Sequence, residues 1–234
     1  MSLKATPPDR ASCLERAIPL VGEKALSRLA DARIAVFGVG GVGSWCAEAL
    51  IRSGARHLLL IDDDVVAPSN LNRQCEATVS TLGRPKVDAM RERLLQIAPD
   101  ADVVACRTRY EPGDPLPRAD FIVDAIDSVA SKAALLLSAT KNGVPIVSSM
   151  GAALRTDPTK VAVHRFDKIA GDGLARALRQ RFKKLGERPA RKFFAVCSSE
   201  LPAKIDVRGS LMQVTAVFGM ALAAEAVKFF ADER

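Results

Sequence analysis

Histidine is nearly absent from this chain, with His57 and His164 the two among 234 residues. That scarcity leaves a nucleophilic cysteine almost no choice of base. Cysteines are few and scattered: Cys13, Cys46, Cys75, Cys106 and Cys197 stand singly, and no two form a C-x-x-C pair. Neither a disulfide framework nor a four-cysteine zinc site is expected, and the usage suits a reducing, cytoplasmic location. No long apolar run is free of charge. The longest, Val214–Ala231, is interrupted by Glu225 and Lys228, which favours a buried or interfacial helix over a membrane span. Met1–Arg10 lacks an apolar core, so no secretory signal is expected. Internal repeats and low-complexity tracts are also missing. Acidic residues are the minority, 27 against 34 Lys and Arg, giving a formal charge of +7 and a pI near 9.4. An acidic partner such as RNA or DNA fits that balance, as does a merely basic surface. What the chain does have is apolar residues, 48% of its composition, enough for one large domain or one domain with a small appendage.

The apolar run Ile34–Phe37 meets Gly38, Gly40 and Gly43, spaced G-x-G-x-x-G, with an added glycine at Gly41. Ala47, Leu50 and Ile51 follow at helical spacing. Strand, glycine turn and helix is the context in which this spacing points to a nucleotide. Gly38 permits a tight turn, Gly40 lets the backbone approach a phosphate, and Gly43 allows helix and strand to pack closely. The helix N-terminus offers unpaired N–H groups to an anion. Asp62 lies 24 residues after Gly38, at the end of a second apolar strand, placed to accept hydrogen bonds from ribose hydroxyls. A glycine turn with a structural role and an exposed loop carboxylate are the competing readings.

In order, the pattern gives a helix over Glu23–Leu29 and strands over Ile34–Phe37, His57–Ile61, Asp102–Arg107, Phe121–Ala125 and Val144–Ser148. Helices follow the glycine turn, start at Pro85 and run to Ile97, and span Val129–Lys141. Apolar strands alternating with such helices imply right-handed βαβ units, hence an α/β, Rossmann-like, mostly parallel sheet flanked by helices. The carboxyl-end loops Gly38–Gly43, Asp62–Gln74, Asp124–Ser128 and Ser148–Gly151 should hold the site. Beyond Gly151 the reading is a strand over Val161–Phe166, a helix over Asp172–Leu185, a basic loop Gly186–Lys192, a strand over Phe193–Cys197, and a long helix Leu211–Phe230 interrupted by Gly219. The organisation expected is a flexible lead-in over 1–12, a nucleotide-binding core over 13–151, and a C-terminal strand/helix extension over 152–234 packed on the same domain.

Five motifs in order, Gly38-Val-Gly-Gly-Val-Gly43, Asp62-Asp-Asp-Val-Val, Asn70-Leu-Asn72-Arg73-Gln74, Gly83-Arg-Pro-Lys86 and Asp124-Ala-Ile-Asp127, resemble the ATP-dependent activating-enzyme (E1-like) family. The resemblance implies that Gly38, Gly40, Gly41 and Gly43 cradle ATP. Asp62 would hold its ribose, with Asp64, Asn70, Asn72 and Gln74 nearby; Arg73 and Lys86 would neutralise the triphosphate, and Asp127 would hold Mg2+. Arg16 matches the family arginine that reaches into a neighbouring subunit's site, which implies a homodimer. Within the family, no C-x-x-C zinc ligands are present, and 234 residues leave no room for both a cysteine domain and a ubiquitin-fold domain. What remains resembles the tRNA threonylcarbamoyladenosine dehydratases, through Met150-Gly151-Ala, Asp157-Pro158-Thr159, Val196-Cys-Ser-Ser199-Glu200 and Gly209-Ser210 among others. That resemblance implies ATP-dependent dehydration of the N6-threonylcarbamoyl group at position 37 of tRNA through an acyl-adenylate. A bound monovalent cation fits it too. The cysteine usage and the interrupted apolar run lead to the expectation of a cytoplasmic location and no membrane partner.

The stretch Arg176–Lys192 carries eight Lys or Arg residues against Glu187 alone, a composition suited to phosphate contact with the tRNA. A solvated helix face is the alternative. Cys197 reads as a packed thiol. Two other functions remain open: adenylation of the C-terminus of a ubiquitin-like or sulfur-carrier protein, and an NAD-binding oxidoreductase built on the same turn and Asp62.

Overall fold

The computed structural model describes residues 10–207 and 209–232. Most of the lead-in therefore lies outside the described residues, and Arg10–Leu14 is already helical. The helices are α1 (Arg10–Leu14), α2 (Ile18–Val21), α3 (Glu23–Asp31), α4 (Gly43–Arg52), α5 (Lys86–Ile97), α6 (Val129–Lys141), α7 (Gly173–Leu185) and α8 (Met212–Ala231). The strands are β1 (Arg33–Phe37), β2 (His57–Ile61), β3 (Asp102–Cys106), β4 (Phe121–Asp124), β5 (Ile146–Ser149), β6 (Val161–Arg165) and β7 (Phe194–Ser198).

One sheet holds all seven strands in the order β3-β2-β1-β4-β5-β7-β6. Every pairing is parallel except β6 with β7, which is antiparallel at the edge. The central strands are apolar on both faces, as a sheet covered on both sides requires: Ile34, Ala35, Val36 and Phe37 are buried, as are Phe121, Ile122 and Val123. β6 and β7 extend that same sheet, so residues after Gly151 add strands to it. Chain order reverses between β1 and β4, which opens a crevice at their carboxyl ends.

Local chemistry sets the element ends. α4 stops in a Schellman arrangement, with Gly54 at φ +106°, its N–H donating to the Ile51 carbonyl and the Ala55 N–H to the Leu50 carbonyl. Arg28 of α3 donates from Nε to the Phe230 carbonyl at 2.8 Å and from Nη2 to the Ala231 carbonyl. It thereby satisfies the carbonyl end of α8, where a cation is also favoured by the helix dipole.

Gly219 does not interrupt the last helix, which runs unbroken from Met212 to Ala231. Its role is proximity. A Cβ there would lie 2.4 Å from the Val42 carbonyl oxygen and 2.8 Å from the Trp45 Cβ, so a bare position lets α8 pack against the start of α4. α8 is long and apolar enough to cross a membrane by length and composition, yet Val214, Phe218, Leu222 and Ala226 are buried in the main core with Leu50 and Val36.

Gly219→Ala tests this packing by its sign. At an open helical position the change stabilises by about 1 kcal/mol. Here it should destabilise by about 1–3 kcal/mol, read as a lower urea midpoint.

Candidate functional site

A cavity of about 930 Å³ occupies the crevice. Its walls are the carboxyl-end loops: Gly38–Val42 without Val39, Ile61–Asp64, Ala125–Ser128 and Ser149–Ala153, closed by Pro68–Gln74, Lys86 and Ser210. Gly38, Gly40, Gly41, Asp62, Asp64, Asn70, Asn72, Arg73, Gln74, Lys86 and Asp127 all line it. Gly43 and Arg16 do not. Gly43 is buried one turn below, and Arg16 is exposed in the turn between α1 and α2.

The glycines divide the work of shaping this wall. Gly38 sits at φ +87°, and a Cβ on it would meet the Ala125 carbonyl oxygen at 2.7 Å. A Cβ on Gly43 would fall 1.8 Å from the Gly38 oxygen, so Gly43 closes the turn on itself and presents no surface to the cavity. Gly41 leaves room for the Arg73 side chain, whose Cγ, Cδ and Nε would stand 3.2–3.4 Å from a Cβ there. Gly40 is the open one, where among the described residues a Cβ would meet the Gln74 Nε2 alone, at 3.7 Å.

Asp62 is tied to this turn. Its Oδ2 accepts the Val39 N–H at 2.7 Å and its Oδ1 the Asp64 N–H at 2.9 Å. A carboxylate has about four acceptor sites, so it retains capacity for hydroxyl donors. Lys86, first residue of α5 and 6% exposed, reaches Asp64 Oδ2 at 2.7 Å. Arg73 is half-buried, its Nη1 donating to the Ser69 carbonyl at 2.6 Å and to Asn72 Oδ1 at 3.1 Å. The Trp45 indole donates to the Arg73 carbonyl at 2.8 Å, fixing that loop to α4. Asn70 and Asn72 are engaged in loop structure: Asn70 Oδ1 accepts the Ala67 N–H, and Asn72 Nδ2 donates to the Ser210 carbonyl.

The opposite wall rests on Lys132, which has no solvent exposure. Its Nζ lies 2.7 Å from Asp124 Oδ2 and 3.2 Å from Ser148 Oγ, and the Ser148 hydroxyl donates to the same Asp124 oxygen at 2.6 Å. Asp124 Oδ1 accepts the Ile126 N–H at 3.1 Å. Burial pulls the Lys132 ammonium down from its ordinary range, and Asp124 opposes that pull. With Asp124 consumed in this way, Asp127, exposed at the cavity lip, is the carboxylate of the pair with the standing to meet a cation. One carboxylate plus phosphate oxygens is the usual provision for Mg2+, and Asp127 fits it.

Several participants are not evident from motif spacing. Lys132 belongs to the stretch Asp124-Ala-Ile-Asp127-Ser-Val-…-Lys132 that resembles the dehydratases, but the local sequence assigns it neither burial nor a partner. Arg155 and Asp172, both buried, pair at 3.0 Å. Glu76 is 1% exposed, and neither carboxyl oxygen has a hydrogen-bond partner among the described residues. Burial pushes its carboxyl up from 4.5 to about 7, against the weaker pulls of its own backbone N–H and of Lys86. Cys197 is buried, outside the cavity lining, and burial raises its thiol, which agrees with a packed role.

In the basic segment, Arg179, itself exposed, donates to the Phe166 and Ile169 carbonyls and lies 5.1 Å over the Phe166 ring. Arg191 lays its guanidinium across Gly143. Arg176, Lys183, Lys184, Arg188 and Lys192 face solvent. α7 begins at the cavity, where Leu174 lines the wall.

Glu76 gives a pH prediction. Between about pH 4.5 and 7 the folded chain keeps this proton while the unfolded chain has lost it, so stability falls as pH rises through that window. Glu76→Gln should therefore stabilise by about 1–3 kcal/mol at pH 8 and change nothing near pH 4. Denaturant unfolding at the two pH values checks it.

Comparison with known proteins agrees with this geometry. The tRNA threonylcarbamoyladenosine dehydratase of Bacillus subtilis (strain 168) is 37% identical over 192 residues, covering 80% of this chain and 76% of that protein. The Escherichia coli (strain K12) protein of the same name is 42% identical over 168 residues, 70% of this chain and 63% of its own length. A crystal structure of the E. coli tRNA N6-threonylcarbamoyladenosine dehydratase, TcdA, in complex with ATP superposes with a TM-score of 0.89 at 36% identity, covering 94% of each chain. The ThiF family profile matches residues 14–234, and with that match the chain belongs to the ThiF family.

Proposed function

We propose that this protein dehydrates N6-threonylcarbamoyladenosine at position 37 of tRNA, using ATP to activate the threonyl carboxylate as an acyl-adenylate. The observation that carries this reading is the convergence of a bare glycine turn, Asp62, Arg73, Lys86 and Asp127 on one cavity. The likeness to dehydratases, one of them held with ATP, supports it.

The chemistry follows from those groups. Asp62 accepts ribose hydroxyls with the acceptor sites that Val39 and Asp64 leave. The turn at Gly40 and Gly41 lets phosphates approach the backbone. The substrate carboxylate attacks the α-phosphorus, an O–P bond forms, and pyrophosphate leaves with its electron pair. Arg73 and Lys86 spread the developing charge, Lys86 exchanging part of its contact with Asp64 for phosphate. Asp127 would hold Mg2+, which when bound neutralises phosphate charge. The ureido group of the same modification then attacks the activated carbon and closes a ring, an intramolecular step favoured by positioning. No nucleophilic cysteine is needed, in keeping with the buried Cys197.

The exposed face of α7 and the loop after it supply cations for the tRNA backbone, beginning at the cavity rim. A homodimer completes the site: Arg16 would serve a partner's cavity. The surface beside it offers an apolar groove lined by Leu20, Val21, Met220, Ala224 and Val227, with Leu20 87% exposed. The reducing cysteine usage suits work in the cytoplasm.

Three experiments test the reading. Exchange of labelled pyrophosphate into ATP should require tRNA carrying the modification. Exchange driven instead by a small carrier protein's C-terminus would replace this reading with carrier adenylation. Arg73→Ala and Asp127→Ala should each lower turnover by about 10²-fold or more with an unchanged fold by circular dichroism. Mixing the Arg16→Ala and Asp127→Ala proteins should restore activity to about a quarter of wild type through mixed dimers. No restoration on mixing would contradict a shared site.

A further inference from the structure

The cavity wall opposite the glycine turn is main chain. Gly151, Ala152 and Ala153 line it after β5, and they are held by a side chain that does not. Arg155, 4% exposed, donates from Nη1 to the Gly151 carbonyl, from Nε to the Glu200 carbonyl at 3.1 Å, and from Nη2 to Asp172 Oδ2 at 3.0 Å. Asp172 is itself fixed, because its Oδ1 caps α7 by accepting the Ala175 N–H at 2.9 Å. One buried guanidinium thus ties the loop after β5 to the start of α7 and to the loop after β7. The chain accepts strain to close this arrangement: Leu154 sits at φ +63°, a left-handed conformation costly for a leucine. Its N–H donates to the Gly209 carbonyl and its own carbonyl accepts the Ala203 N–H.

A trans peptide is planar, so its C=O and N–H point in opposite directions. The Gly151 carbonyl is turned onto Arg155, behind the wall. The Ala152 N–H on the same peptide therefore points away from Arg155; Ala152 lines the cavity, and no acceptor for that N–H is present among the described residues. We infer that the Arg155–Asp172 pair orients this peptide so that the Ala152 N–H donates to the oxygen that becomes negative during ring closure. Arg155 and Asp172 are positioning residues, and the reacting donor is the main chain.

This rests on the dehydration reading and concerns its second half. The ureido group's electron pair forms the new bond to the acyl carbon, and the carbonyl π pair moves onto oxygen. That pair then re-forms the carbonyl as the bond from carbon to the phosphate oxygen breaks, and AMP leaves with those electrons. The ureido proton passes to solvent. A donor aimed at the transient oxyanion lowers the barrier to this step. It contributes little to pyrophosphate departure, where charge develops on the phosphates across the cavity.

The cleanest test replaces the amide at residue 152 by an ester, with lactate in place of alanine, which removes the N–H and keeps the side chain. tRNA-dependent pyrophosphate exchange should stay within about threefold of wild type, while dehydrated nucleoside forms about 10²-fold more slowly. The double variant Arg155→Met with Asp172→Asn should reproduce that split. It removes both buried charges together, and asparagine still caps a helix. Unimpaired dehydration in the ester protein, or equal loss in both half-reactions, would overturn the inference. Absence of tRNA-dependent exchange in the wild-type protein would instead count against the dehydration reading.

Discussion

A lysine with no contact with solvent holds the floor of this site. Lys132 neutralises Asp124 from inside α6, with Ser148 bridging the same oxygen, and the other Asp124 oxygen fixes the Ile126 N–H. The desolvation cost of such a pair is large, and removing one partner typically costs about 3–5 kcal/mol. Three parallel strands meet around it: β4 carries Asp124, β5 carries Ser148, and β1 delivers Gly38 against the Ala125 carbonyl. Asp127 projects at the lip because the residues before it are committed below. The glycine turn on the other side is equally committed, with Gly43 folded against Gly38 and Asp62 holding the Val39 N–H. A rigid frame of this kind keeps cations and donors in place before any ligand arrives, and preorganisation of that sort is the largest electrostatic contribution to transfer chemistry.

Much of this frame was legible in the chain. Apolar runs mark the strands because a covered parallel sheet is apolar on both faces, and His57–Ile61 and Val129–Lys141 fall at the observed bounds. The glycine spacing, Asp62, Arg73 and Lys86 were visible because a short sequence motif builds each of them locally. Gly219 was read as a break, since propensity treats glycine as a helix weakener. The structure uses the missing Cβ to bring α8 onto α4. Nothing in local sequence reports that a helix 170 residues away needs that space.

The pairings that motif reading does not reveal share one property: each residue's meaning depends on a distant partner. Lys132 and Asp124 are eight residues apart, but burial at both ends makes the pair what it is. Arg155 and Asp172 come together only because α7 starts beside the loop after β5. Glu76 looks like a loop acid until its surroundings prove to be interior. Net charge likewise does not report that Arg179 of the basic segment donates to the Phe166 and Ile169 carbonyls.

The cavity joins two kinds of surface, a cationic nucleotide cradle on one wall and oriented main chain on the other, with a basic helix leading away from its rim. That combination suits a carboxylate carried on RNA and activated by ATP. Mass spectrometry of nucleosides tests it most directly, using tRNA bearing N6-threonylcarbamoyladenosine incubated with the protein and Mg-ATP. The account requires loss of one water from that nucleoside, with one AMP formed per nucleoside converted. An unchanged nucleoside under conditions where ATP binds would contradict it.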